Sequence, residues 1–376
     1  MPDVLHAAEA LHDIIAANAD ASAAGRRLAA PTAEALARAD LMRMCVPAEY
    51  GGPEVDPPTM LRTIAELARS DGAAGWCAMI ASTTSSMAAY LPPPAARRMY
   101  GDSEVVTGGV FAPNGRGAVT ERDGVAGVSV TGRWAWGSGS QHCDWVMGGV
   151  ACDDDRFRLA WFERGELDFH DTWHTGGMRG SGSLDFSVDE VFVPLERTIE
   201  PGVSAPVVAS PITRFSNFTL LAACVGAVGL GIARHALDEV TDVAAAKRPQ
   251  YSSKSLGEHP HTQIELARAE MRLRGARAFL LAETEAAWAK VEVGQAMTID
   301  DRLGIRMAAV DAAQAGVDVA QTAFTLAGGT AVYDTSPLGR CLRDAHVVTQ
   351  HIQTAPKLLS TFGRILVGLP TDVSMF

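Results

Sequence analysis

The chain has 376 residues, enough for two or three domains around a large core, and its 47% hydrophobic and 20% charged residues exclude a disordered polymer. A net charge of -12 without any basic run argues against nucleic acid or an anionic membrane surface as a partner. The six cysteines (Cys45, Cys77, Cys143, Cys152, Cys224, Cys341) form no Cys-x-x-Cys pair, so reduced thiols in a cytoplasm are expected rather than a disulfide framework or a zinc site.

The start, Met-Pro-Asp-Val-Leu-His, lacks the basic segment and apolar core of a signal peptide. Up to about residue 103, Ala-rich segments with apolar residues at spacings of three and four predict helices, as in Val4 to Ala17 and Met60 to Ala68. Pro47-Ala48-Glu49-Tyr50-Gly51-Gly52 and Leu91-Pro92-Pro93-Pro94 interrupt them, and Asp71 to Tyr90 reads as a helix carrying Trp76, Met79 and Met87. From 104 to 207 short Val-, Phe-, Trp- and Thr-rich runs predict an all-β domain, with strands at Gly127 to Thr131, Trp145 to Val150, Leu159 to Phe162 and Leu184 to Val193. The alternation Leu184-Asp185-Phe186-Ser187-Val188 is that of a half-buried antiparallel strand.

Helical periodicity returns over 208 to 376. Phe218 to Ala244, His261 to Lys290 and Thr298 to Ala327 are long enough for a bundle, with Leu358 to Val367 as the expected fourth helix. The apolar run Phe218 to Ala233 is short for a membrane span and is expected to be a buried core helix. Helix, β, helix order therefore predicts an α+β protein of three domains, 1–103, 104–207 and 208–376.

Several segments carry candidate chemistry. In Trp134-Ala135-Trp136-Gly137-Ser138-Gly139, strand alternation would send Trp136 and Ser138 to one face. Read without further context, this is a Trp-rich strand with a Gly-Ser turn. Thr172-Trp173-His174-Thr175-Gly176-Gly177-Met178-Arg179 supplies glycines for a tight connection. His259 and His261 stand two apart with no third metal ligand, so no metal is expected. Gly226, Gly229 and Gly231 lie in a helical run, in the wrong order for a nicotinamide fingerprint.

Taken together, these segments resemble the acyl-CoA dehydrogenase fold. The resemblance covers nearly the whole chain, including Ala327-Gly328-Gly329-Thr330 and the run Arg343-Asp344-Ala345 to Gln350-His351-Ile352. Dehydrogenases of the fold place a catalytic glutamate where Ile352 stands, and an isoleucine cannot remove a proton from carbon. The alternative glutamate position, at the start of the first bundle helix, is also uncharged here, from Phe218 to Cys224.

The 172–183 block, the Ser138-Gly139 pair and His351 resemble the two-component flavin monooxygenase branch instead. That resemblance implies a hydroxylase using O2 and reduced flavin, FMN with FAD as the alternative, delivered by a separate NAD(P)H-dependent reductase, with oxygen adding at C4a. It implies an aromatic at Trp136 on the isoalloxazine, Ser138 at N5, and His351 acting as a base or a hydrogen-bond donor. Phe111 falls in the flavin-edge loop, and Gly328, Gly329 and Thr330 complete the implied flavin contacts. A homotetramer is implied, and Trp76, Met79, Met87, Phe215 and Phe218 suggest an apolar, aromatic substrate pocket. The other readings are an acyl-CoA dehydrogenase or oxidase with an unconventional base, and a catalytically silent flavin-binding protein.

Overall fold

A computed structural model describes residues 3–374 and 376. In chain order these form helices α1 (Val4–Ala10), α2 (His12–Gly25), α3 (Ala30–Arg38), α4 (Pro57–Ser70), α5 (Gly72–Ser85) and α6 (Pro93–Tyr100). Strands β1 (Thr107–Arg122), β2 (Val125–Trp134), β3 (Trp145–Cys152), β4 (Phe157–Glu163), β5 (Asp168–His170), β6 (Asp185–Pro194) and β7 (Thr198–Ile199) follow. Helices α7 (Asn217–Ala246), α8 (Pro260–Glu292), α9 (Ile299–Ala327), α10 (Pro337–Val348) and α11 (Leu358–Leu366) complete the chain. The expected helix, β, helix order holds. The chain divides into two compact units, one of residues 1–56, 77–175 and 179–214, the other of 57–76, 176–178 and 215–376.

The first unit contains one seven-stranded sheet in the order β5-β6-β2-β1-β3-β4-β7. Neighbouring strands run antiparallel except β1 and β3, which are parallel. Trp134 ends β2 fully buried, stacked on Phe186 at 5.2 Å, with its indole N–H donating to the Gly149 carbonyl at 2.9 Å. A satisfied indole inside an apolar layer makes Trp134→Ala worth about 3–5 kcal/mol of stability. A second core gathers Met87, Tyr100, Trp145, Met147 and Trp161, with Phe111 packed at its edge. The pairing of β1 with β3 jumps from Val110–Gly148 to Gly115–Val150, so residues 111–114 bulge opposite Gly149 alone. A Cβ at Gly149 would lie 2.3 Å from the Phe111 carbonyl oxygen, so the bulge requires glycine there.

The second unit is built on α7, α8 and α9. By length and composition α7 could cross a membrane, but 89% of its apolar window is buried within the fold, as expected for a core helix. Its glycines permit close helix packing: a Cβ at Gly226 would meet the Ala309 Cα at 3.1 Å, and one at Gly229 the Ala313 Cα at 3.2 Å. One expectation fails. α11 packs Phe362, flanked by Leu358 and Ile365, into a small cluster with Leu303 and Val310 of α9 and with Phe376, so it meets α9 rather than lying along α7. The places beside α7 go to α10, which buries Leu338, Cys341, Ala345 and Val348, and to α4, whose Ala65 carbonyl and Ala68 methyl abut Gly231.

Candidate active site

In the first unit the chain leaves β2 at Trp134 and turns sharply. Trp136 has φ +62° and Gly139 φ +69°, both left-handed, which for a tryptophan is a strained conformation. Two backbone bonds tie the turn to the 181–184 segment: Gly137 N–H donates to the Leu184 carbonyl at 2.9 Å, and Gly139 N–H to the Ser181 carbonyl at 2.8 Å. Trp136 and Ser138 therefore do not alternate on a strand, as the sequence suggested. The positive φ sends the Trp136 ring outward, 74% exposed, and turns Ser138 inward, 6% exposed. The Ser138 hydroxyl lies 2.7 Å from that of Ser183, which lies 2.7 Å from that of Ser181, a buried chain of three hydroxyls. Serine hydroxyls both donate and accept, so the chain can reverse its direction to suit a group bound at its end.

This donor set fits a flavin. An outward-held indole offers a flat apolar face, and the neighbouring hydroxyl chain suits a ring nitrogen that donates in one redox state and accepts in the other. Phe111 lies in the bulge of β1, half-buried on the Met87 core, while residues 112–114 are exposed. Met79 and Met87 are buried, Met87 in that same core.

In the second unit, α10 ends at Val348 and two threonines fasten the turn beyond it. Thr354 donates to the Val348 carbonyl and Thr349 to the His346 carbonyl, each at 2.8 Å. That turn presents His351, a half-buried ring packed edge-on against Trp76 with centroids 5.5 Å apart. The backbone N–H of Gln353 donates to His351 Nδ1 at 3.3 Å. Burial, reinforced by the nearby Arg306 guanidinium, pulls the His351 pKa down to about 4, so the ring is neutral at pH 7.

Arg306, on α9, gave no signal in the sequence, yet it braces this turn. Its Nη1 donates to the Gln353 side-chain oxygen and to the Phe218 carbonyl, and its guanidinium lies 5.2 Å from the centroid of the Phe376 ring. It is 1% exposed, no carboxylate of the described residues pairs with it, and its Nε has no partner. Burial lowers its pKa to about 10, which still leaves it charged.

The structure thus groups Trp76, His351 and, through Arg306, the Phe218 backbone. Phe215 packs against Trp288, with ring centroids 6.3 Å apart, and Ile352 is 56% exposed. Gly328, Gly329 and Thr330 are exposed beyond the end of α9, where Lys247 Nζ donates to the Ala327 carbonyl at 2.6 Å.

Residues 6–93 match the acyl-CoA dehydrogenase N-terminal domain, and residues 223–356 the acyl-CoA dehydrogenase C-terminal domain. An indole-3-acetate monooxygenase of Pseudomonas putida is 35% identical over 82% of this chain and 79% of its own length. The oxygenase subunit HsaA, a flavin-dependent monooxygenase of Rhodococcus jostii, is 26% identical over 93% and 94%. The crystal structure of 3-HSA hydroxylase from Rhodococcus sp. RHA1 superposes with a TM-score of 0.91 at 25% identity, covering 100% of this chain and 99% of that one.

Proposed function

The chain belongs to the acyl-CoA dehydrogenase family, and from that footing we propose that it is the oxygenase component of a two-component flavin monooxygenase that hydroxylates a small aromatic substrate. One observation carries the choice of oxygenation over dehydrogenation. Where a dehydrogenase needs a carboxylate, this chain has the exposed side chain of Ile352, and beside it a neutral histidine set on a tryptophan. Similarity to proteins named as monooxygenases supports the same choice.

Reduced flavin, when bound, supplies the electrons that activate dioxygen, so that one oxygen atom enters the substrate and the other leaves as water. Trp136 supplies a flat face for the isoalloxazine, which FMN and FAD share, and Ser138 a hydroxyl for N5. FMN is the flavin assigned and FAD the alternative. Trp76 gives an aromatic substrate an apolar wall, and His351 offers it a polar atom. The glycines of α7 are occupied in helix packing, and a separate NAD(P)H-dependent reductase is the proposed source of the reduced flavin. The relative that is named an oxygenase subunit supports that division of labour.

A homotetramer is proposed as well. On the outer face of α8, Ile264 is 50% exposed and Met271 73%, and Gly275 has open space around it. An apolar, glycine-containing stripe on a long helix suits helix-on-helix contact between copies.

The functional test mixes the protein with reduced FMN, O2 and a panel of phenols and indoles. Oxygenated product is expected. Bleaching of bound oxidised flavin by an acyl-CoA panel, with no oxygenated product, would return the chain to the dehydrogenases.

A further inference from the structure

We infer that His351 acts as a fixed hydrogen-bond donor through Nε2, not as a proton-abstracting base, and that Arg306 and Gln353 are the positioning pair that holds it in that role. The inference rests on the oxygenase reading for its catalytic meaning, but its structural content stands on the ring alone. A backbone amide can only donate. Because the Gln353 N–H points at His351 Nδ1, that nitrogen must carry the lone pair, and in a neutral imidazole the hydrogen then sits on Nε2. Nε2 is the ring nitrogen left for a ligand, and it arrives already protonated. A base would need the opposite arrangement, with Nδ1–H aimed at a carbonyl or carboxylate that accepts it.

Arg306 enforces this tautomer in two ways. Its bonds to the Gln353 side chain and the Phe218 carbonyl anchor the turn to the start of α7, so the Gln353 amide keeps its aim. Its charge also opposes a second proton on the ring, which would create an imidazolium beside a buried guanidinium and set Nδ1–H against N–H. Arg306 is the charged group acting on the ring. Trp76, its aromatic neighbour, is uncharged, and the turn contributes Thr349, Gln350, Gln353 and Thr354, all neutral. A carboxylate beside Arg306 would cancel the charge that adds to burial in keeping His351 neutral.

The direct test needs no flavin and no substrate. In protein with 15N-labelled histidine, solid-state NMR should show His351 as the Nε2–H tautomer with an unprotonated Nδ1, unchanged from about pH 8 down to about pH 5. His351→Ala identifies the resonance. A proton on Nδ1, or a titration near the ordinary histidine value of 6.5, would overturn the inference whether or not the enzyme turns over. In Arg306→Gln the same resonance should titrate closer to that ordinary value, and Arg306→Lys should restore the flat profile. An Arg306→Gln profile as flat as wild type, in folded protein, would remove Arg306 from the role.

Turnover supplies the second arm. The amide N–H of a glutamine reaches about as far as Nε2 but has no basicity. His351→Gln should keep product per reduced flavin within about tenfold of wild type, while His351→Ala loses on the order of a hundredfold to hydrogen peroxide. Glutamine as inactive as alanine would mean a base. A wild-type enzyme that forms no oxygenated product would instead sink the oxygenase reading and leave the NMR result standing.

Discussion

The carboxylate of Asp344 accepts the backbone N–H of Met178 at 2.5 Å, joining residues 166 positions apart. A Cβ on Gly72 would lie 3.5 Å from the other carboxylate oxygen, so α5 begins close against the same side chain. Burial pushes the Asp344 carboxyl up to about 7, with Asp71 adding to the effect, while the Met178 N–H, Arg340 and Arg343 hold it down.

That shift gives a pH-dependent prediction. A carboxyl with a raised folded-state pKa binds its proton more tightly in the fold, so its stabilisation is full below the unfolded value of 3.8 and is lost as pH rises through 7. Asp344→Asn keeps an acceptor for Met178 and carries no charge. Relative to wild type, it should gain about 1–3 kcal/mol between about pH 5 and pH 8, read from urea melts at both. A difference independent of pH would show that Asp344 does not titrate in this range.

Ser138→Ala removes the outer hydroxyl of the Ser138–Ser183–Ser181 chain without opening a large cavity. Folding should be unaffected. Product per reduced flavin should fall several-fold, since one hydrogen bond of about 1 kcal/mol is worth that much in a rate ratio. Ser181→Ala, at the far end, should act more weakly. Equal coupling in wild type and Ser138→Ala would separate the hydroxyl chain from the flavin.

Trp136 predicts a split between stability and binding. With 74% of it exposed, Trp136→Ala should change stability by no more than about 0.5 kcal/mol. Loss of an aromatic stacking face should weaken reduced FMN on the order of tenfold in anaerobic titration. Wild type should also bind reduced FMN more tightly than oxidised FMN, and comparing FMN with FAD in the same titration identifies the physiological flavin. Unchanged affinity in Trp136→Ala would place the isoalloxazine elsewhere.

Met271→Glu puts a charge in the middle of the exposed stripe of α8. If that face joins copies, light scattering should show wild type at about four times the 39.7 kDa chain mass and the variant at smaller mass with unchanged circular dichroism. Wild type at the mass of one chain would refute the assembly.

Much of the architecture was legible from the sequence because its periodicities are local. The run Leu184 to Val193 became β6, and the helical spacing from Phe218 onward became α7. The site was legible only in part. His351 stood out as a histidine in a familiar setting, but the tautomer depends on the aim of one backbone amide, which no pattern encodes. Trp136 and Ser138 were placed on a strand because alternation assumes extended backbone, and one left-handed residue cancels it. Arg306 looked like any surface arginine on a long helix. Its burial follows from the turn after α10, 47 residues further along the chain.

The two compact units share the chain in pieces, since α4 and the segment 176–178 belong with residues from 215 onward. During synthesis α4 emerges early and cannot find α7 until more than a hundred further residues have left the ribosome. Its apolar side stays uncovered through that interval, which favours slow folding and invites chaperones or aggregation. A fragment ending at residue 103 or 207, made alone, would strand α4 away from its partner. Expression as two co-produced halves is therefore expected to succeed only if the break falls in an exposed loop such as 201–206 and both halves are present together.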